Sequence, residues 1–128
     1  MTRLLIVAIG GALGSGARYW LSGFIQNHST PYFPTGTFVV NAIGCFAVGV
    51  AVGLAAANLV SPNVRLFVVV GICGGFTTFS AFSYETLKLV EDRELWQAGV
   101  NAGGQLVVGL AAVWAGMTLV RLLFRSVS

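Results

Sequence analysis

Residues 71–84 read GICGGFTTFSAFSY, and this stretch decides how the chain folds. Two adjacent glycines, Gly74 and Gly75, are followed by six hydroxyl side chains between Thr77 and Thr86. A pair of glycines costs roughly 2 kcal/mol of helix propensity, and hydroxyl side chains compete for backbone hydrogen bonds. We therefore predict a helix that breaks near its centre at this point.

The regions on both sides of this stretch are strongly apolar. The chain of 128 residues is 56% hydrophobic and only 9% charged, whereas a soluble domain carries roughly 25% charged residues. No charged residue occurs at positions 19–64, 66–84 or 95–120, and about 20 apolar residues cross a bilayer. We predict an all-α membrane protein, a single domain over residues 1–128 with four transmembrane helices at about 3–24, 36–58, 64–89 and 96–123.

The glycines are unusual in number and in placement. The chain has 17 of them, and each predicted helix carries a Gly-x-x-x-Gly pair: Gly10/Gly14, Gly49/Gly53, Gly71/Gly75 and Gly99/Gly103. Small residues let helix backbones approach closely in lipid, where no hydrophobic effect drives helices together. A general abundance of glycine in membrane helices explains some of these pairs. Because four short helices enclose little volume alone, we also expect a homo-oligomer.

The basic residues specify the orientation in the membrane only weakly. Four arginines lie on the side of the two termini and the second loop, and three basic residues lie on the other: Arg3, Arg65, Arg121 and Arg125 against Arg18, Lys88 and Arg93. Positively charged loops normally stay in the cytoplasm, so this small difference permits two opposite insertions of one chain. Ordinary insertion with both termini inside remains the alternative.

A break at membrane depth indicates a functional centre. Irregular backbone is tolerated there only when it is buried in protein or lines an aqueous cavity, and broken helices in transporters form ion sites. Phe76, Phe79 and Phe82 recur at every third position beside the break. Such a stripe is often a packing surface, but the positive edge of an aromatic ring can also solvate a small anion.

Other polar groups lie at membrane depth away from the break. Asn41 is in the second predicted helix, and Asn101 and Gln105 are in the fourth. Each amide fits either an interhelical hydrogen bond or an anion pathway. Arg18, near the membrane interface, fits either snorkelling to the surface or a structural or pathway-entrance role.

The placement of the acidic residues argues against several functions. All four acids, Glu85, Glu91, Asp92 and Glu94, lie near or beyond the end of the third predicted helix, whereas proton-coupled transporters usually carry an acid within the membrane. A small multidrug-type exporter would have only Glu85 for this purpose, and a non-conducting assembly subunit would have no use for the break. The scattered basic residues exclude a nucleic-acid-binding face. Because the sequence shows no nucleophile–base pair, metal-ligand cluster or phosphate loop, we predict that the chain is not an enzyme.

Three segments resemble the Fluc/CrcB family of small fluoride channels. They read GGALGSGARY (10–19), GTFVVNAIG (36–44) and GGFTTFSAFS (74–83), and the likeness covers nearly the whole chain. The resemblance implies a dual-topology antiparallel homodimer with two pores that passively export fluoride across the inner membrane of a microbial cell.

The resemblance also implies roles for particular residues. Phe79 and Phe82 would present their ring edges to fluoride, and Asn41 would contribute a hydrogen bond in the pore. Ser80 and Ser83 would match the hydroxyl track of the family.

Further implied roles concern a cation and the remaining polar residues. The backbone carbonyls of Gly74 and Thr77 would match a structural sodium site shared by both subunits at the dimer centre. Asn101 fits a polar position on the fourth helix, and Arg18 matches an arginine whose role is mainly structural.

Three positions depart from the pattern of the family. Ala81 stands where threonine is common, and Gln105 and Gly109 differ from the serine-bearing versions of the fourth helix. These departures bear on the conduction rate and the ion path rather than on the fold.

Overall fold

The computed structural model describes residues 1–124, and its regular secondary structure over that range consists of helices alone. Arg125, one of the basic residues that specify orientation, lies outside the described residues. The helices are α1 (Thr2–Asn27), α2 (Thr35–Ala56), α3, α4 (Phe79–Glu91) and α5 (Leu95–Leu123). α3 consists of three continuous segments: Pro62–Arg65, the π-helical Leu66–Cys73, and Gly74–Phe76. Since α3 and α4 together make one span, Pro62–Glu91, residues 1–124 contain four helices that are long and apolar enough to cross a membrane. The predicted all-α architecture with four spans is confirmed.

The third span is broken between α3 and α4, as the sequence predicts. Thr77 and Thr78 have extended backbone angles, with ψ of 155° and 117°, and the Thr78 hydroxyl caps α4 by accepting the Ala81 N–H at 3.1 Å. Gly74 and Gly75 themselves stay helical. The break therefore follows the glycines and falls on the threonines, and the Thr78 hydroxyl satisfies one of the freed backbone groups.

Glycines on both helices allow α3 to lie directly against α1. A Cβ atom added at Gly75 would lie 3.0 Å from Ser15 Oγ, and one at Gly10 would lie 2.9 Å from the Gly71 Cα atom. A Cβ atom at Gly14 would collide with the Ile72 carbonyl. The two helices thus touch backbone to backbone, which is the close approach expected of small residues in a membrane protein.

α2 and α5 form a second extensive helix pair. A Cβ atom added at Gly49 would lie 3.0 Å from the Val113 Cα atom, and one at Gly116 would lie 2.8 Å from the Val50 backbone nitrogen. The fourth glycine pair behaves differently, because nothing lies within 4 Å of a Cβ atom added at Gly99 or Gly103. Within residues 1–124, α5 therefore packs through Gly116 and leaves the predicted pair free.

Short, internally bonded connections hold the helices in register. The Gln26 side chain donates to the Phe33 carbonyl at 3.0 Å and accepts from the Gly36 N–H at 3.0 Å, which ties the first loop to both of its helices. Ser61 caps α3 by accepting the Val64 N–H at 3.3 Å, and Pro62 occupies the first helical position, where its missing N–H is not needed.

Candidate functional site

Asn41 of α2 holds the break in the third span. Its Oδ1 atom accepts the Thr78 N–H at 2.8 Å, and its Nδ2 atom donates to the Thr78 carbonyl at 3.1 Å. These are the backbone groups that a continuous helix would have bonded within itself. The Asn41 amide therefore replaces the missing helical hydrogen bonds at membrane depth.

A chain of side-chain hydrogen bonds continues from Asn41 across three helices. Asn41 Nδ2 donates to Gln105 Oε1 at 2.7 Å, and Gln105 Nε2 donates to Asn101 Oδ1 at 2.9 Å. Asn101 Nδ2 donates to Thr86 Oγ1 at 2.8 Å, and Thr86 donates to the Phe82 carbonyl at 2.7 Å. The Thr78 N–H needs an acceptor, so the Asn41 oxygen faces Thr78 and the Asn41 nitrogen faces Gln105. Each following amide then accepts with its oxygen and donates onward with its nitrogen. We refer to these four side chains, Asn41, Gln105, Asn101 and Thr86, as the amide chain.

A groove of about 530 Å³ lies beside the amide chain. Asn41 and Gln105 line it, together with the rings of Phe79 and Phe82 and the break residues Thr77 and Thr78. The two rings have centroids 5.4 Å apart and planes inclined by 44°. Phe82 is half-buried, but 79% of Phe79 is exposed. The groove is thus mostly apolar, with two aromatic rings facing a few polar groups.

The structure brings some of the predicted site residues together and leaves others apart. Asn41, Phe79 and Phe82 line the groove, and Asn101 is fully buried at 0% exposure one hydrogen bond behind it. Ser80 and Ser83 lie on the exposed surface of α4 and are not among the lining residues.

The carbonyls of Gly74 and Thr77 lose their helical donors at the break. The Thr78 N–H, which would bond to Gly74 in a continuous helix, bonds to Asn41 instead. The Ala81 N–H, which would bond to Thr77, bonds to the Thr78 hydroxyl. Backbone carbonyls freed in this way are the oxygen ligands that sodium ions meet in broken membrane helices, so the donor set fits the predicted cation.

Arg18 reaches the same break from α1. Its Nε atom donates to the Gly75 carbonyl at 3.1 Å, and the Ser15 hydroxyl lies 3.4 Å from that oxygen. A cation at the carboxyl end of a helix also opposes the negative end of the helix dipole. Arg18 therefore stabilises the end of α3 rather than extending to the surface alone.

Glu85 lies in the middle of α4 and does not line the groove. One carboxylate oxygen accepts the Thr37 hydroxyl at 2.7 Å, while the other is buried with no partner among residues 1–124. It borders a second cavity of about 540 Å³ that Lys88, Asp92 and Glu94 also line. Glu85 thus borders a cavity near the loops that other charged side chains also line, and we refer to this cavity as the vestibule.

Comparison with known proteins identifies the family. The sequence model of the family described as "CrcB-like protein, Camphor Resistance (CrcB)" matches residues 5–117. This chain belongs to the CrcB family. The match includes the break, the groove and the whole amide chain, and with the four spans it makes the chain a multi-pass membrane protein.

Bacterial CrcB relatives share much of the sequence. A protein of Methylobacillus flagellatus is 43% identical over 124 residues, which cover 95% of this chain and 97% of the relative. One of Opitutus terrae is 47% identical and covers 91% and 90% of the two chains, and one of Thermus thermophilus is 44% identical and covers 93% and 95%. Each is called "Fluoride-specific ion channel FluC". A family of ion channels agrees with the prediction that this chain is not an enzyme.

Two residues of this site, Gln105 and Thr86, have contacts that the sequence indicates only in part. Gln105 departs from the family pattern, but it makes the interhelical hydrogen bond that the sequence allows and joins Asn41 to Asn101. Thr86 is predicted only as a hydroxyl near the break, and the structure shows that it accepts a hydrogen bond from the Asn101 amide. Asn101 and Gln105 are four residues apart, and this spacing places both side chains on one helix face. That spacing was the available signal for a continuous polar line.

Proposed function

We propose that this protein is a passive, fluoride-selective ion channel. The names of its relatives support this function, and the groove beside the break is the observation that carries it. Fluoride must lose water to cross a membrane, and ring edges with partial positive charge and amide N–H groups can replace that water. No side chain that lines the groove within residues 1–124 is acidic, so no fixed negative charge opposes an anion there.

The position of Glu85 favours a channel over a proton-coupled exporter. An exporter of cationic drugs needs an acid in the substrate pathway within the membrane. Glu85 is bonded to Thr37 and borders the vestibule instead of the groove. Its side chain is therefore not among those that line the groove through which fluoride would pass.

Ser80 and Ser83 extend the proposed path along α4. Both hydroxyls are exposed on the chain surface, and Ser80 Oγ lies 3.2 Å from Thr78 Oγ1. Fluoride would pass from the rings of Phe79 and Phe82 to these hydroxyls, with Asn41 and Asn101 in the adjacent amide chain. Several weak sites in sequence allow an ion to enter and also to leave.

The functional unit in this proposal is an antiparallel homodimer. Exposed hydroxyls on a membrane helix are costly in lipid, so a second copy that covers α4 would stabilise them. A Cβ atom added at Gly99 or Gly103 would have nothing within 4 Å among the described residues, which leaves room for a close helix neighbour. The nearly balanced basic residues permit the two opposite orientations that such a dimer needs. In a bacterium it would lie in the inner membrane and let fluoride leave the cytoplasm.

A sodium ion fits the break in the same proposal. The Gly74 and Thr77 carbonyls, both deprived of their helical donors, would hold the ion where two subunits meet. Its charge would neutralise the carbonyl dipoles and fix the ends of α3 and α4 in place.

Ion flux from liposomes tests the function. Purified protein is reconstituted in vesicles loaded with potassium fluoride or potassium chloride, and efflux is measured with valinomycin, with and without a proton gradient. We expect rapid fluoride efflux that needs no proton gradient and is much faster than chloride efflux. Equal leakage of both halides, or export of a cation driven by protons, would overturn the proposal.

A further inference from the structure

Hydrogen-bond counting shows that Asn41 has no free donor for an anion. A side-chain amide carries two N–H bonds, and those of Asn41 go to the Thr78 carbonyl at 3.1 Å and to Gln105 Oε1 at 2.7 Å. Its oxygen accepts the Thr78 N–H at 2.8 Å. Asn41 lines the groove but is fully committed to the break and to the amide chain.

Gln105 is in the opposite position. Only one of its two N–H bonds has a protein partner among residues 1–124, the Asn101 oxygen at 2.9 Å. Its side chain lines the groove together with Phe79 and Phe82. Asn101 also has one N–H without a protein partner within that range, but it is fully buried at 0% exposure and does not line the groove.

We propose that Gln105 supplies the amide N–H that contacts fluoride beside the two phenylalanine rings, and that Asn41 is a positioning residue. Asn41 holds Gln105 Oε1, which turns Gln105 Nε2 toward Asn101 and leaves its second N–H for the groove. Donation to an anion is stronger than donation to a neutral acceptor, so one well-placed N–H is a substantial part of such a site. This inference rests on the proposed fluoride channel and goes beyond it by naming the donor.

Magnetic resonance of the wild-type protein tests the contact without any mutation. The chain has three glutamines, Gln26, Gln97 and Gln105, so selective ¹⁵N labelling gives few side-chain amide signals. We expect titration with sodium fluoride to shift the Gln105 signal in a saturable way, while equal sodium chloride does not. The signal of Gln97, on the same helix but outside the groove lining, is the internal control. A Gln105 signal that fluoride leaves unchanged would overturn the proposal.

Two substitutions separate a donor to the ion from a residue that only positions Asn41. Gln105→Met keeps the length and removes both donor and acceptor, whereas Gln105→Glu keeps an acceptor for Asn41 and adds a negative charge. If Gln105 contacts fluoride, Gln105→Met lowers flux about ten- to hundredfold, and Gln105→Glu conducts still less. If Gln105 only positions Asn41, Gln105→Glu conducts better than Gln105→Met, which would contradict the proposal.

Matched variants in the same helix control for the chemical changes. Gln97→Met and Gln97→Glu lie eight residues away, about 12 Å along the helix, and are expected to conduct within about twofold of the wild type. Gel filtration confirms that each variant assembles as the wild type does. Wild-type vesicles that release no fluoride would refute the proposed channel itself, whereas a conducting wild type whose Gln105 variants match the Gln97 variants refutes only the role of Gln105.

Discussion

Replacing Asn41 by alanine should loosen the break before it affects any other part of the protein. The substitution removes three hydrogen bonds at once: the one accepted from the Thr78 N–H at 2.8 Å and the two donated by Nδ2, at 3.1 Å to Thr78 and 2.7 Å to Gln105. The Thr78 N–H has no helical partner to return to, because the backbone at Thr77 and Thr78 is extended. It is left unsatisfied next to an apolar groove.

The expected cost follows from these three bonds. An unsatisfied buried donor costs about 1–3 kcal/mol, and each lost neutral hydrogen bond contributes about 1 kcal/mol. Water that enters the groove recovers part of this, so we expect a net loss of about 3 kcal/mol. The same free energy corresponds to roughly a hundredfold change in a local opening equilibrium.

Hydrogen exchange and thermal unfolding in detergent micelles measure the two consequences. We expect the Thr78 amide to exchange about a hundredfold faster in Asn41→Ala, with a lower unfolding midpoint and slower fluoride efflux from liposomes. Cys45→Ala is the matched control, because Cys45 lines the same groove on the same helix and loses a side-chain group without breaking this network. An Asn41→Ala protein whose Thr78 exchange and midpoint equal those of Cys45→Ala would refute the role given to Asn41.

Three further predictions concern the rings, the helix contacts and the orientation. Phe79→Ile or Phe82→Ile should lower fluoride efflux at least about tenfold without changing gel-filtration behaviour, because each removes a ring edge from the groove; normal flux in both variants would assign the rings to packing. Gly14→Ala should destabilise the protein by about 1–3 kcal/mol, since the new Cβ atom meets the Ile72 backbone. Gly16→Ala, whose Cβ atom has nothing within 4 Å, should be neutral or stabilising by up to about 1 kcal/mol. Equal thermal midpoints of the two variants would contradict this packing. A tag at the C-terminus should be labelled from both sides of the membrane, and labelling from one side only would exclude the antiparallel homodimer.

The number of spans was predictable because it depends on local composition. Long apolar segments without charged residues are unfavourable in water, and their lengths match the thickness of a bilayer. The ends of the helices were less predictable. The sequence predicts that the first helix ends near residue 24, but it continues to Asn27, and Gln26 in this added segment bonds to the loop that follows and to the start of α2. Such a contact depends on residues ten positions away and leaves no local signal.

The break was predictable in kind but not in position. Glycine propensity predicts the break at Gly74 and Gly75, yet both are helical, and the lack of a side chain at Gly75 allows its close contact with α1. The chain opens two residues later, where Thr78 can cap the next helix and Asn41 can bond to the exposed backbone. Propensity measures the cost of a helix in isolation, whereas tertiary partners determine where breaking it is least costly.

The polar residues of the site were recognisable individually, but their roles depend on which hydrogen bonds are already taken. From the sequence, the amides of Asn41 and Gln105 both fit an interhelical hydrogen bond or an anion pathway. In the fold, both N–H bonds of Asn41 have protein partners, whereas one N–H of Gln105 has none among residues 1–124. Ser80 and Ser83 illustrate the same limit in the other direction, because their hydroxyls are exposed on the surface of a single chain. A hydroxyl facing lipid is unfavourable, and the proposed ion path and second copy would give these serines polar surroundings. Donor counting within one chain thus gives the inner wall of the proposed pore, and the exposed hydroxyls of Ser80 and Ser83 mark the side on which our proposal places the second copy.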